Sequence, residues 1–264
     1  MAEKMTRTVT RRELLKIAAQ LGVSIAALEV ARRFVGAAPQ ASASDGSSRY
    51  HWAMVIDLSS CTGCNYCSYA CKATNDTGPD IYWNAVFEDK RTYSKPVFLP
   101  RPCMHCEHAP CVDVCPVGAT FHRPDGLVAM DYDKCIGCRY CQVACPYGAR
   151  YFNWTENTAI NAMTPTWGAP EIPRRPRGVV EKCTFCAHRI DAGLAQGRRP
   201  GIDEEATPAC VNVCPVGARV FGDLNDPNSR VSELLRERES VTLRESVGSH
   251  PRVFYLLPDG GADL

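Results

Sequence analysis

The residues with the clearest chemical potential are sixteen cysteines in a chain of 264 residues. The most regular group, Cys135 to Pro146, reads CIGCRYCQVACP, which is C-x2-C-x2-C-x3-C followed by proline. This spacing is typical of [4Fe–4S] sites in which the fourth cysteine binds a neighbouring cluster. Three thiolates in one tight turn can hold three corners of a cubane. We expect a short helix to begin at the fourth cysteine and carry it to another cluster.

Three further groups of four cysteines have related spacing. In the first motif Lys72 replaces the proline, in the second Glu107–Pro110 lengthens one spacing, and in the fourth 23 residues separate the two halves. With the third motif described above, the chain offers sixteen cluster ligands: Cys61, Cys64, Cys67 and Cys71 in the first; Cys103, Cys106, Cys111 and Cys115 in the second; Cys135, Cys138, Cys141 and Cys145 in the third; Cys183, Cys186, Cys210 and Cys214 in the fourth.

The four motifs are alike in alternating pairs. The first and third share C-x-G-C-x-Y-C-x-x-A-C, and the second and fourth share C-V-x-V-C-P-V-G-A. This alternating order indicates a duplicated half that supplies eight cysteines each time. The expected fold class is α+β, with duplicated bacterial-ferredoxin-like domains whose short hairpins and helices surround four [4Fe–4S] clusters.

Which motifs share clusters is left open between two pairings. The second and third motifs are separated by 19 residues that contain Pro124-Asp125-Gly126, a hairpin turn. That layout favours pairing the second with the third and the first with the fourth; sequential pairing is the alternative. The favoured pairing gives set 1 (Cys61, Cys64, Cys67, Cys214), set 2 (Cys103, Cys106, Cys111, Cys145), set 3 (Cys135, Cys138, Cys141, Cys115) and set 4 (Cys183, Cys186, Cys210, Cys71).

The composition and the cysteine spacing argue against several other classes of protein. A formal charge of +1 points to neither a nucleic-acid nor an acidic partner. A disulfide scaffold does not need repeated C-x2-C spacing, and zinc sites usually take two C-x2-C pairs per metal. No apolar run reaches the length of a bare membrane span. Because cluster binding ties chain segments together, we expect the chain without clusters to be poorly folded.

The first 43 residues resemble an export signal. Thr10 to Lys16 reads TRRELLK, which resembles the twin-arginine box, and a weakly apolar stretch from Ile17 to Val30 follows. Ala41-Ser42-Ala43 is a candidate cleavage site. The alternative is an ordinary amphipathic helix with two surface arginines. Export by this route suits the rest of the chain, because it carries folded proteins whose clusters are already inserted.

The remaining residues must position the motifs. We predict a linker over 44–49 and a four-cluster domain over 50–264, with an inner ferredoxin unit at about 97–152 and an outer unit from about 50–96 and 178–225. Strands are expected at His51–Asp57 and Val253–Leu257, and an irregular loop at 151–182. Asn228 is expected to cap a helix over 231–238.

Several side chains next to the cysteines have two interpretations each. Basic residues either raise the potential of a nearby cluster or are solvated and ion-paired: Lys72, Lys134, Arg139, Arg150 and Lys182. Three histidines are not needed as ligands, because every set of four cysteines is complete: His105, His108 and His188. Tyr66 and Tyr140 either pack over a cluster or serve as an electron relay. Trp154 and Trp167 either face a partner or fill the core of an insert.

At this point the sequence resembles a known family. The order of the motifs, the split fourth motif, EKCTFCAHRIDAG (181–193) and FGDLNDPNSRV (221–231) resemble the four-cluster electron-transfer subunits of the dimethyl-sulfoxide-reductase superfamily. The nearest types are the iron–sulfur subunits of polysulfide and tetrathionate reductases and of the sulfite-reduction-associated membrane complex. The resemblance covers roughly residues 50–258.

The resemblance implies a subunit that moves electrons without transforming a substrate. Its partners would be a quinone-reactive membrane subunit and a catalytic subunit, often molybdopterin-containing, with the protein on the periplasmic side of the membrane. It also implies the pairing that defines sets 1 to 4. The sequence contains no flavin, nicotinamide or phosphate-loop fingerprint. The alternatives are a free periplasmic polyferredoxin, a subunit of a cytochrome-containing complex without molybdenum, and a zinc scaffold.

Overall fold

The computed structural model describes residues 49–90 and 96–258. The export signal predicted for residues 1–43, and the linker as far as residue 48, lie outside these residues. The described residues form short strands and helices in alternation, which agrees with the α+β class. The strands are β1 (Trp52–Asp57), β2 (Ala85–Asp89), β3 (Val97–Arg101), β4 (Thr120–His122), β5 (Val128–Met130), β6 (Tyr151–Phe152), β7 (Val180–Glu181), β8 (Arg219–Asp223), β9 (Ser240–Val241) and β10 (Val253–Leu256).

The helices are short and most begin within a cysteine motif. None of those in the described part of the chain is long and apolar enough to cross a membrane. Two single 3-10 turns lie at Glu204–Ala206 and Glu245–Val247. The α-helices are α1 (Tyr66–Thr74), α2 (Pro110–Asp113), α3 (Tyr140–Ala144), α4 (Ala187–Ala195), α5 (Ala209–Asn212) and α6 (Arg230–Glu237).

A four-stranded sheet joins the two ends of the described chain. Its order is β8-β1-β10-β9, with β1 parallel to β10 and antiparallel to β8. Strand β1 is apolar on both faces because both are covered. Ala53 and Val55 pack with Val231 of α6, whereas Trp52 and Met54 face the core that contains the cysteines. The strands predicted at residues 51–57 and 253–257 are therefore confirmed.

The strands link the motifs in a closed series. Strand β2 follows the first motif and pairs with β3, which precedes the second motif. In the same way, the pair β4–β5 lies between the second and third motifs, and the pair β6–β7 lies between the third and fourth motifs. Strand β8 follows the fourth motif and pairs with β1, which precedes the first. The hairpin predicted around Pro124-Asp125-Gly126 is confirmed as β4–β5.

Left-handed residues turn the chain within the first and third motifs. Gly63 and Gly137 have φ of 70° and 69°. A Cβ at Gly63 would lie 2.4 Å from the ring of Phe98, and one at Gly137 would lie 2.1 Å from the carbonyl oxygen of Gly178. Glycine is needed at both positions because the backbone conformation and the close approach each exclude a side chain.

Two expectations about helix ends are wrong. In the third motif the helix carries Cys141 and ends at Ala144, so the fourth cysteine, Cys145, follows the helix instead of starting it. Pro146 explains this, because a residue before proline is driven to the extended conformation that Cys145 adopts. Helix α6 is capped by Ser229, whose hydroxyl accepts from the Ser232 N–H at 3.2 Å, and not by Asn228.

The irregular loop predicted over residues 151–182 is confirmed between β6 and β7, which occupy its two ends. An ion pair attaches it to the end of α1: Arg174 Nη2 lies 2.7 Å from Asp76 Oδ1. Trp167 contacts the rings of Tyr66 and Tyr69, at centroid distances of 4.4 and 5.3 Å. Of the two tryptophans considered from the sequence, Trp167 therefore packs within the chain.

Candidate iron–sulfur centres

The cysteines of the first and fourth motifs come together at one end of the described unit. Cys61, Cys64, Cys67 and Cys214 line a single cavity, together with Arg219. This is set 1. Burial raises the pKa of Cys61, and the charges of Cys67 and Cys214 raise it further. Helix α1, from the first motif, packs against α5, from the fourth, which brings the cysteines of sets 1 and 4 to adjacent positions.

Set 4 is the most deeply buried group. Its four cysteines are shielded from solvent. Asn75, at the end of α1, lies with its Nδ2 3.6 Å from Cys71 Sγ and 3.7 Å from Cys186 Sγ. Burial raises the pKa of Cys71 well above its usual value, with further contributions from Cys183, Cys186 and Cys210. The fourth cysteine of the first motif thus lies with three cysteines of the fourth motif.

Sets 2 and 3 are built from the second and third motifs, whose helices α2 and α3 pack together. Burial raises the pKa of Cys106 to about 12, and Cys103, Cys111 and Cys145 add to the rise. The Cys141 pKa is likewise raised by burial, with contributions from Cys135 and Cys115. Cys138 is exposed in the same turn. These contacts bring cysteines of the second motif together with those of the third, and cysteines of the first motif together with those of the fourth.

The two pairs of sets meet at a ring contact between the second and fourth motifs. His105 and Phe185 occupy matching positions, each just before the second cysteine of its motif, and both are left-handed. Their ring centroids are 3.9 Å apart. Across this contact, Cys103 of set 2 raises the pKa of Cys183 of set 4, after burial and Cys210. Sequence reasoning missed this junction.

The contacts between sets define one series. Set 1 adjoins set 4, because Arg219 lines the cavity of set 1 and donates to Cys210 of set 4. Set 4 adjoins set 2 at the ring contact, and set 2 adjoins set 3 across the packed helices α2 and α3. The order in space is therefore 1–4–2–3, which differs from the order of the motifs along the chain.

The basic residues next to the cysteines turn out to have different roles. Lys72 is buried and donates to three carbonyl oxygens, of Gly78, Pro79 and Ile81, at 2.6 to 3.1 Å. Lys134 is exposed and pairs with Asp131 at 2.9 Å. The ion-paired interpretation therefore holds for Lys134, whereas Lys72 binds carbonyl oxygens, a role that neither interpretation included.

Arg139 and Lys182 also contact groups other than thiols. The guanidinium of Arg139 lies over the ring of Trp154, 4.5 Å from its centroid, and Trp154 itself is 63% exposed. Lys182 is fully buried, and its Nζ donates to the carbonyl of Cys183 at 2.6 Å. Its charge lowers the pKa of Cys183, although burial dominates and the net pKa rises to about 12.

Two arginines contact cysteine sulfurs directly. Arg150 donates to Cys111 Sγ at 3.0 Å, and Arg219 donates to Cys210 Sγ at 3.2 Å. Arg150 was among the candidates from the sequence, whereas Arg219 was missed. The shared sequence GAR after the third and fourth motifs is the pattern that could have indicated both.

The three histidines near the cysteines have partners of other kinds. His105 is buried, and its Nδ1 accepts from the Val128 N–H at 3.1 Å. Burial and the charges of Lys182 and Arg252 lower its pKa well below the usual value, so the ring is neutral. His108 is exposed beside His250, and His188 Nε2 lies 2.9 Å from Glu171 Oε2.

The residues present fit iron–sulfur clusters. Burying four thiolates together is costly, as the raised pKa of Cys71 and of Cys183 indicates, unless cationic iron compensates for them. Buried N–H groups also lack acceptors: the Nε atoms of Arg150 and Arg219 have no hydrogen-bond partner in the described part of the chain. Both arginines contact cysteine sulfurs, where cluster sulfides would supply acceptors.

Comparisons with known proteins identify the clusters. A family described as a 4Fe-4S dicluster domain matches residues 94–163, which contain the second and third motifs. A second family of the same description matches residues 60–119 and 134–218. Two dicluster domains and sixteen cysteines correspond to four [4Fe–4S] clusters, so the predicted cofactors are confirmed and the zinc-scaffold alternative is not.

The relatives are subunits of respiratory enzymes. The chain is 44% identical over 225 residues to the iron–sulfur cluster-binding subunit of menaquinone reductase from Nitratidesulfovibrio vulgaris, covering 78% of this chain and 88% of the relative. It is 40% identical to a subunit of the tetrathionate reductase of Salmonella typhimurium, covering 80% and 74%. It is 33% identical to a subunit of the polysulfide reductase of Wolinella succinogenes, covering 77% and 92%.

The chain belongs to the iron–sulfur electron-transfer subunits of the dimethyl-sulfoxide-reductase type. Membership in this family confirms the resemblance found from the motifs. An electron-transfer subunit of this type needs cofactors at short separations, and the contacts between successive cysteine sets meet that need.

Proposed function

We propose that this chain carries electrons between two partner subunits of a respiratory oxidoreductase complex: a quinone-reactive membrane subunit and a catalytic subunit that contains molybdopterin. The observation that supports the proposal is the unbroken series of cysteine sets, 1–4–2–3, with an exposed cysteine at each end. A [4Fe–4S] cluster accepts and releases one electron, and a series of them spans a distance that a single cluster cannot.

The four sets are the proposed ligands. Each motif supplies three thiolates to one cluster, and its fourth cysteine is a ligand of the neighbouring cluster. The surroundings of Cys71, Cys115, Cys145 and Cys214 support this arrangement. The chain contributes the electrostatics: buried thiolates, N–H donors and fixed cations that set each reduction potential.

A duplicated ferredoxin architecture is the proposed origin of this arrangement. The inner unit, about 97–152, holds sets 2 and 3 around the β4–β5 hairpin. The outer unit, from about 50–96 and 178–225, holds sets 1 and 4 around the β8–β1 pair. In both units a strand that follows a B-type motif (the second or fourth) pairs with a strand that precedes an A-type motif (the third or first). The shared pattern supports duplication.

The partners are proposed from the relatives. Menaquinone is in the name of the Nitratidesulfovibrio vulgaris relative, which supports a quinone-reactive partner. Reductases of tetrathionate and polysulfide give their names to the two others, which supports a catalytic partner. A cytochrome-containing complex without molybdenum and a free polyferredoxin stay as the alternatives.

The exported face of the cytoplasmic membrane is the proposed location. The twin-arginine-type sequence of residues 10–16 supports it. Replacing Arg11 and Arg12 together by lysine should retain the cluster-loaded protein in the cytoplasm, measured by cell fractionation. Unchanged recovery in the periplasmic or membrane fraction would contradict this location.

The complex is tested by affinity purification of the tagged chain from gently solubilised membranes, with assays for molybdenum and tungsten. Recovery of a large molybdopterin subunit and a polytopic membrane protein is expected. Recovery of cytochromes and a membrane protein without molybdenum would instead support a cytochrome-containing complex that lacks a molybdopterin subunit. Recovery of the brown protein alone, in the soluble fraction, would overturn the proposal in favour of a free polyferredoxin.

A further inference from the structure

Two buried arginines occupy the same place in the sequence of two motifs. Arg150 and Arg219 each lie five residues after the last cysteine of a motif, in CPYGAR and CPVGAR. Their exposed fractions are 2% and 3%. A guanidinium is almost never buried without a partner for its charge. What neutralises these two side chains is therefore informative.

Arg150 lies between sets 2 and 3. Its Nη2 donates to Cys111 Sγ at 3.0 Å and to Thr120 Oγ1 at 2.7 Å. Its charge also lowers the pKa of Cys141, against the larger effect of burial. Cys111 belongs to set 2 and Cys141 to set 3, so one guanidinium donates to a proposed ligand of set 2 and acts electrostatically on a proposed ligand of set 3.

Arg219 has the corresponding position between sets 1 and 4. Its Nη1 donates to Cys210 Sγ at 3.2 Å, and its Nη2 donates to Asn84 Oδ1. After burial, the charge of Cys67 has the largest effect on its pKa. Cys67 and Cys141 are both the third cysteine of an A-type motif, and Cys210 and Cys111 are both the third cysteine of a B-type motif. Each arginine therefore donates to the third cysteine of a B-type motif, although Arg150 itself follows an A-type motif and Arg219 a B-type motif.

Neither arginine has a carboxylate partner among the ion pairs of the described residues. The buried Arg175 is different, since it pairs with the equally buried Glu181. Polar groups hold the fork of Arg150 and Arg219 in place, namely Thr120 and Asn84, and these carry no charge. The positive charge of each guanidinium is thus directed at cysteine sulfur.

We propose that Arg150 and Arg219 are positioning residues that raise reduction potentials in pairs: Arg150 those of the clusters at sets 2 and 3, and Arg219 those of the clusters at sets 1 and 4. The inference rests on the proposed ligand sets. Reduction adds one negative charge to a cluster, and a fixed cation with N–H donors at the ligand sulfurs stabilises that added charge. In a buried site this interaction is weakly screened by salt.

The test compares Arg150→Gln with Arg219→Gln in the full chain loaded with clusters, by redox titration followed by electron paramagnetic resonance. Glutamine keeps a polar side chain and removes the charge. Each variant should lower two of the four potentials, and the two variants should lower different pairs. We expect a change of at least tenfold in the equilibrium constant for reduction, which is about 59 mV for one electron.

Two controls separate this role from a structural one. Arg150→Lys and Arg219→Lys keep the charge and lose the fork, so their shifts should be smaller and in the same pairs. Lys134→Gln removes an exposed cation next to Cys135 and should leave all four potentials unchanged. If a glutamine variant does not take up clusters, the lysine variant at the same position provides the test, and a shift of the expected pair of potentials in that variant supports the inference.

Four unchanged potentials in fully loaded variants would overturn the inference, as would equal shifts of all four. Unchanged potentials would assign the arginines only to folding, and equal shifts would show that their effect is not confined to the cysteine sets they lie between. The measurement needs no partner subunit. A chain that purifies alone yet shows the two paired shifts would contradict the proposed complex and support the inference, so the two failures are distinguishable.

Discussion

The middle and the ends of the series of cysteine sets differ in their shielding from water. In sets 4 and 2, which form the middle, all cysteines are buried except Cys145, which is partly exposed. In sets 1 and 3, which form the ends, Cys64 and Cys138 are exposed. Since an electron must leave the chain at a short distance from a partner, the ends suit exchange. The middle, whose cysteines are buried apart from Cys145, suits conduction within the chain.

The two ends also differ from each other. Around Cys138 the apolar side chains of Ile136, Tyr140 and Val143 are 63%, 63% and 86% exposed. Around Cys64 the exposed apolar residues are Tyr66 and Val216, at 39% and 43%. Exposed apolar groups of this kind are typical of protein contact surfaces. The contrast between a buried middle and exposed ends can be tested by substitutions at matched positions.

The largest effect is expected from removing a cysteine of set 4, all of whose members are buried. Cys210→Ala should abolish accumulation of folded chain, because it leaves three buried thiols without the cluster that joins α1 to α5. Cys64→Ala, at an exposed end, should give a folded chain with about four iron atoms fewer. The measurements are yield and iron content per chain. Equal yields of the two variants would show that the middle is no more dependent on its cluster than the ends.

The next effect concerns the junction between sets 4 and 2. His105→Ala removes a fully buried ring that contacts Phe185 and should lower the free energy of unfolding by about 3 kcal/mol. His108 is exposed and lies three residues after His105. His108→Ala should lower the free energy of unfolding by less than about 0.5 kcal/mol. Anaerobic guanidinium unfolding of the loaded chains measures both. A similar loss of unfolding free energy in both variants would show that the contact between His105 and Phe185 does not stabilise the chain.

At the ends of the series of cysteine sets, the backbone conformation is expected to affect stability more than burial does. Gly137→Ala should lower the free energy of unfolding by about 2 kcal/mol or more, because φ is 69° and the new Cβ would meet a carbonyl oxygen at 2.1 Å. Gly118→Ala is the control: its φ is 60° and no atom of the described residues lies within 4 Å of the new Cβ, so about 1 kcal/mol is expected. If the control costs as much as Gly137→Ala, the close approach to Gly178 is not decisive.

The smallest effect is expected at the loop that covers α1. Burial raises the Asp76 pKa, but hydrogen bonds from Arg174 and Asn161 outweigh it, and the net pKa falls below 3.8. A lowered carboxyl pKa stabilises the folded state above the unfolded pKa, and this stabilisation is lost as pH falls through the folded value. Asp76→Asn should therefore cost about 1 kcal/mol of local stability at pH 6 and less at pH 3.

Pulsed hydrogen exchange of residues 153–175 at the two pH values measures that difference. Asp113→Asn, at a carboxylate in α2 that lies outside the loop, serves as the control and should leave exchange in these residues unchanged. A cost for Asp76→Asn that stays constant between pH 6 and pH 3 would contradict the role of its charge.

Local features could be predicted from the sequence. The cysteine spacing, the Pro124-Asp125-Gly126 turn and the apolar β1 each depend on neighbouring residues, and the structure has them where the pattern placed them. The helix at α6 was predicted with its cap one residue early, because Asn228 and Ser229 are both good capping residues and only the final geometry selects one.

Contacts between distant residues could not be predicted in the same way. His105 and Phe185 are far apart in sequence, and neither side chain has a local reason to meet the other. The shared GAR sequence could have drawn attention to Arg219, but its contact with Cys210 forms only when the turn after Cys214 folds back. Such contacts depend on which loops meet, and the repeat alone leaves that open.

The most direct test of the central claim, a single path in the order 1–4–2–3, is to interrupt it at set 2. In the membrane complex, Cys145→Ser removes a partly exposed ligand of that set. After mixing with a quinol, freeze-quenched electron paramagnetic resonance should show rapid reduction either of the clusters at sets 1 and 4 or of the cluster at set 3, and not of both groups. Rapid reduction of all three remaining clusters at the wild-type rate would contradict the single path.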